Sequence, residues 1–148
     1  MSHAADYFSD EQQLQIKNAV QQAEKRTSGE IRVCIDSKIK GDAYTRAVEF
    51  FHELKMHKTE LHNGVLIYVA IENKQFAVIG DSGIHQHVHQ QFWENLKEEM
   101  IPFFKNGDYT GALLHAIKQT GEALVKHFPY SKNDANELSD DIIFGTNE

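Results

Sequence analysis

Basic residues are in short supply: 15 Lys and Arg stand against 22 Asp and Glu, a formal net charge of −7. Nucleic acid and anionic membranes both demand a basic surface, so neither is expected as a main partner. A cation site is compatible with this balance. Cysteine is scarcer still. The single Cys34 excludes an intramolecular disulfide and any multi-cysteine zinc site. Long apolar runs are missing too. The longest, Val65 to Ile71, has seven residues and cannot span a bilayer. The first fifteen residues are largely polar, without the apolar core of a signal peptide. There is no glycine-rich phosphate loop, no G-x-S-x-G, no HExxH and no cysteine-plus-arginine phosphate loop. These absences lead to the expectation of a soluble, cytoplasmic protein with no membrane insertion.

What is present suits one domain. The chain has 148 residues, 41% hydrophobic and 25% charged. At this length about 70% of the unfolded surface can be buried, enough to fold without a metal or disulfide. Ser9-Asp10-Glu11-Gln12 forms a capping box, and Ile16, Ala19, Val20 and Ala23 follow at helical spacing. Glu30 to Asp36 alternates as a strand, with Ile31, Val33 and Ile35 on one face. Ala43, Ala47, Phe50 and Leu54 mark a second helix. VLIYVAI, from Val65 to Ile71, is apolar on both faces and predicts a central covered strand. Only Glu72 to Gln75 separate it from FAVIG, so the next strand must return antiparallel.

The rest reads as helical. Val88, Phe92, Leu96 and Met100 lie four apart, and Pro102 is expected to bend or end that helix. A last helix carries Leu113, Ala116, Ile117, Thr120 and Leu124. Ile142-Ile143-Phe144 predicts an ordered hook or short strand in a polar tail. The order gives an α/β fold: a three-layer α/β/α sandwich with a small mixed β-sheet and helices on both faces. The expected division is an extension over 1–8, the domain over 9–129 and a tail over 130–148.

Candidate chemistry follows from strand direction. If the first two strands are parallel and the third returns, Glu30, Asn63 and Asp81 gather at one end of adjacent strands. Thr27, Ser28 and Ser82 lie close to them in the chain. Two carboxylates, an amide oxygen and hydroxyls form a hard-oxygen set suited to Ca²⁺ or Mg²⁺. The same residues are also good turn formers. A rival set sits at the other edge, where Asp36 and Ser37 end a parallel strand and Asp42 could join across the loop. His85, His87 and His89 alternate. Between Gly83 and a helical stripe they read as helix, which aligns only His85 and His89. His52, His57 and His62 show no ligand pattern, and mid-strand Cys34 reads as a small hydrophobe.

The runs TSGEIRV and NGVLIYVAIENKQFAVIGDSGI, a tryptophan helix and NGDYTGALLHAI together resemble the TPM domain over about Phe8 to Phe128. That family takes its name from a thylakoid acid phosphatase, a photosystem-repair protein and a modulator of a nematode acetylcholine receptor. The resemblance implies an α/β/α sandwich, an acidic sheet-edge cluster able to hold a divalent cation and, in some members, acid phosphatase activity. By position it points to Thr27 to Glu30, Asn63-Gly64 and Gly80 to Gly83. The expected function is calcium binding by a non-catalytic adaptor or assembly factor with a protein partner. The alternative is a metal-assisted phosphatase.

Overall fold

A computed structural model describes residues 3–130 and 140–145. Ser9 caps the first helix, α1 (Asp10–Glu24), through the capping box: its hydroxyl accepts from the Gln12 amide at 3.1 Å, and Gln12 Oε1 accepts from the Ser9 amide at 2.9 Å. From α1 the chain enters β1 (Glu30–Asp36), every residue of which is buried. Helix α2 (Ala43–Glu53) starts on Asp42 and leads to β2 (Gly64–Ala70), paired parallel to β1 from Glu30↔Gly64 to Asp36↔Ala70. β3 (Gln75–Gly80) returns antiparallel, with Val65 opposite Gly80. Two helices follow, α3 (Ser82–Lys105) and α4 (Tyr109–His127). The two-residue strand β4 (Ile143–Phe144) then adds parallel to the far side of β1, giving the sheet order β3-β2-β1-β4.

The alternation of β1 and the two-faced apolarity of β2 explain the layers. Ile31, Val33, Ile35, Val65, Ile67 and Val69 face one core, shared with side chains of α1, α3 and α4. Cys34, Leu66, Tyr68 and Ala70 face the other, beneath Ala43, Ala47 and Phe50 of α2. The fold is therefore the α/β/α sandwich read from the sequence. It also draws in the flanks, since Ala4 and Phe8 are buried against the larger core.

Two features of α3 differ from the sequence reading. The helix begins at Ser82, ahead of the apolar stripe, because Asp81 caps it. It breaks at His89, which is left-handed (φ 62°), whereas Pro102 is carried inside the helix three residues before its end. Pro102 is exposed, so the carbonyl it leaves without an intrahelical donor is on the solvent side.

The layer assignment gives a direct test. Ile67 is fully buried, so Ile67→Ala should cost about 3 kcal/mol, within the range for buried Ile truncation. Leu14 is 57% exposed, and Leu14→Ala should change stability by less than about 0.5 kcal/mol. Urea denaturation compares the two.

Candidate functional site

The parallel register brings together the residues at the amino edge of β1 and β2. Glu30 donates its amide to the Asn63 carbonyl at 3.4 Å, and Asp81 donates its amide to the Gly64 carbonyl at 2.9 Å. Glu30 and Asn63 are each 2% exposed, while the Asp81 side chain is partly open. Asn63 Nδ2 donates to Ser28 Oγ at 3.4 Å. The Asp81 carboxylate does two local jobs. Oδ1 accepts from the Ser82 amide at 2.7 Å, the N-cap contact of α3, and Oδ2 lies 3.3 Å from His62 Nδ1. Ser82 itself is exposed in the first turn of the helix.

Thr27 stands apart from this group. Its hydroxyl points at the Leu124 carbonyl (3.1 Å) and the Phe128 carbonyl, and accepts from the Gly29 amide at 3.0 Å. With its one proton and an acceptor site in use, Thr27 clamps the β1 entry to the end of α4. Its place at this edge is structural.

The carboxyl edge is organised differently. Asp36 and Ser37 are fully buried. Tyr68 donates its hydroxyl to Asp36 Oδ2 at 2.6 Å, and Arg46 Nε donates to the same oxygen at 3.0 Å. The guanidinium also lies 4.0 Å above the Phe50 ring, a cation–π contact. Burial, then the hydrogen bond to Asp36, holds the Tyr68 phenol well above its ordinary range. Asn73 ties down the loop after β1 by accepting from the Ile39 amide (2.8 Å) and donating to the Ile39 carbonyl (3.2 Å). Gln75 Oε1 accepts from the Ala43 amide at 3.0 Å.

Asp42 turns to Thr45, accepting from its hydroxyl at 2.6 Å and its amide at 3.4 Å. The Thr45 hydroxyl, ahead of the amides, holds the Asp42 carboxyl below its ordinary value. Asp42 is thus the N-cap of α2, with its carboxylate directed at Thr45. Sequence reasoning missed Arg46, Tyr68 and Asn73. The available signal was a polar-tipped Tyr within an otherwise aliphatic strand.

The remaining candidates resolve simply. Burial pushes the Cys34 thiol up to about 12, which keeps it protonated and unreactive. The break at His89 removes the helical alignment with His85, and His85 Nδ1 accepts from the Trp93 indole at 3.0 Å. His87 stacks on His127 with ring centres 4.7 Å apart. Among the described residues, no group of three or more His, Cys, Asp and Glu is placed to hold a metal ion. A cation at the amino edge would therefore draw on amide, hydroxyl and carbonyl oxygens besides Glu30 and Asp81.

These features define a small α/β/α domain with a mixed four-stranded sheet and a polar network at each sheet edge. No described helix is long and apolar enough to cross a membrane. The chain belongs to the TPM-domain family, whose model matches residues 1–123. It is similar to BA42 from the psychrophilic bacterium Bizionia argentinensis, solved by NMR, at 41% identity and a TM-score of 0.86, over 97% of this chain and 99% of that one. Two more distant NMR structures share the fold. An N-terminal domain from P. gingivalis gives a TM-score of 0.72 at 14% identity, over 86% of this chain and 84% of its own. An N-terminal domain from Corynebacterium glutamicum gives 0.63 at 13%, over 95% and 83%. None of the curated proteins matches the sequence.

Proposed function

We propose that the domain is a divalent-cation-binding module that serves a protein partner without catalysing a reaction, with its site at the amino edge of the sheet. The observation that carries this reading is the register. It sets the buried Glu30 and Asn63 at the same sheet edge as Asp81, with Ser28 against Asn63. Hard oxygens of mixed type suit Ca²⁺, which accepts six to eight ligands in flexible geometry, better than Mg²⁺, which demands a near-ideal octahedron. The carboxyl edge is a poorer cation site, because the Arg46 guanidinium already neutralises Asp36.

Calcium titration followed by backbone NMR tests the site. Shifts should centre on residues 27–30, 63–64 and 81–83. Shifts centred on residues 36–42 would move the site to the other edge, and none at millimolar calcium would overturn the proposal. At a hundredfold excess over its dissociation constant, calcium should stabilise the fold by about 2.7 kcal/mol. Asp81→Asn should abolish that gain yet leave the metal-free protein within about 0.5 kcal/mol of the parent, since Asn caps a helix as well as Asp does.

One observation favours a second reading, metal-assisted phosphate-ester hydrolysis. The chain matches the TPM family, in some members of which acid phosphatase activity is expected, and a cation held by the same amino-edge oxygens would polarise a phosphoryl oxygen. Turnover of a generic aryl phosphate that requires metal and disappears in Asp81→Asn would establish it over the adaptor role.

A further inference from the structure

β3 ends the sheet, with no strand beyond it among the described residues. The Asp81 amide points across the ladder to the Gly64 carbonyl, so Ile79, Ala77 and Gln75 also point inward. Antiparallel pairing alternates, which turns the backbone N–H and C=O of Phe76, Val78 and Gly80 outward. Among the described residues these outward groups make no hydrogen bond. Open edges are usually blunted by proline, charge or a bulge. QFAVIG has neither charge nor proline, and its pairing with β2 runs unbroken from Val65↔Gly80 to Ala70↔Gln75.

The helices on both faces turn apolar side chains past this edge. α2 packs on β2 and β3 and sends Arg46 toward Asp36 of β1. Tyr44 and Val48 are each two residues from Arg46, about half a turn round the helix, and so lie on the β3 side. Tyr44 is 60% exposed. On the opposite face, α3 meets α4 through Phe103 and Glu99, both against His115. Ile101 lies two residues from each, on the side away from α4, and is 40% exposed. Glu94 and Lys105 share that side at helical spacing and are exposed.

We propose that β3 pairs antiparallel with β3 of a second copy, about a two-fold axis through Val78, to make one continuous sheet. This register sets Phe76 opposite Gly80 and Val78 opposite Val78, so every outward group finds a partner in an isologous contact. The helices fit. α2 stands over the gap between β2 and β3, and strands lie about 4.8 Å apart. The two α2 helices are then about 10 Å apart, an ordinary packing distance. The Ala43 amide sits on Gln75 at the start of β3, so α2 runs along β3 and the two copies of α2 are antiparallel. Val48 meets Val48, and Tyr44 faces His52 of the other copy. On the opposite face, Trp93 lies on Gly80 and Phe104 stacks on Phe76. Pairing Phe76 with Gly80 therefore carries the Lys105 end of one α3 to the Glu94 end of the other, a complementary pair of charges made twice. The proposal stands apart from the cation site.

Sedimentation of the full chain without calcium, from micromolar to millimolar concentration, reads the association. The mass should rise toward that of two chains, and the Phe76, Val78 and Gly80 amides should gain protection from hydrogen exchange over the same range. Val48→Lys puts two ammonium groups face to face at the axis and should weaken association by about tenfold. Lys105→Glu should weaken it by about fivefold, and adding Glu94→Lys should restore it, since the swapped pair attracts again. None of these side chains belongs to either core, so each variant should fold as the parent does. A single-chain mass at millimolar concentration would overturn the proposal and leave the edge to a strand of another protein. A dimer that Val48→Lys leaves intact, or whose β3 amides gain no protection, would overturn it too, because the copies would then meet elsewhere. A loss in Lys105→Glu that Glu94→Lys deepens would overturn the register.

Discussion

Arg46→Met should destabilise the domain by about 3 kcal/mol, the lower end of the range for stripping one partner from a buried ion pair. The Asp36 carboxylate is fully buried, and the Arg46 side chain is 17% exposed. Without Arg46, Asp36 keeps the Tyr68 hydroxyl and loses the positive charge that balances it. The cost arises from the orphaned charge more than from the pair's own strength. That distinction is measurable. Asp36→Asn combined with Arg46→Met should be more stable than Arg46→Met alone, because a neutral amide needs no counter-charge and its oxygen can still accept from Tyr68. Urea denaturation of the four proteins in this cycle decides it. A loss below about 1 kcal/mol in Arg46→Met would show that the carboxylate is balanced elsewhere.

This network also shows where sequence reading reached its limit. The strand EIRVCID, the two-faced run VLIYVAI and the four-residue link after it fix the layers and the mixed sheet by periodicity and loop length alone. Strand direction then placed Glu30, Asn63 and Asp81 at one end, as the structure does. Tyr68 and Asp36 are 32 residues apart, and nothing in either local pattern announces that one donates to the other. Hydropathy records that Tyr68 is buried and is silent on where its hydroxyl goes. The roles of Thr27, Asp42 and Asp81 as clamp and caps were equally hidden, since a carboxylate in a turn reads alike whether it holds a cation or a backbone amide. β4 was legible only as an apolar triplet in a polar tail.

Gly83→Ala should cost about 3 kcal/mol, at the upper end of overpacking penalties. Gly83 lies in the first turn of α3, and its amide donates to the His62 carbonyl at 2.7 Å. A Cβ at this position would press onto the carbonyl oxygens of Leu61 and His62, well inside van der Waals contact. These are backbone atoms, so no side-chain rotation relieves the clash. His62 is already left-handed at φ 50°, which leaves the loop little freedom to retreat. Gly107 provides the contrast. It too is left-handed, at φ 72°, but nothing lies within 4 Å of its missing Cβ. Gly107→Ala should therefore cost only the conformational penalty of about 1 kcal/mol. Because Asn63 follows the displaced loop and Asp81 precedes the displaced turn, Gly83→Ala should also weaken calcium binding, whereas Gly107→Ala should leave it unchanged. Thermal melts of both variants with and without calcium separate the two effects. If Gly83→Ala melts lower yet keeps the full calcium-induced rise, the amino edge does not hold the ion.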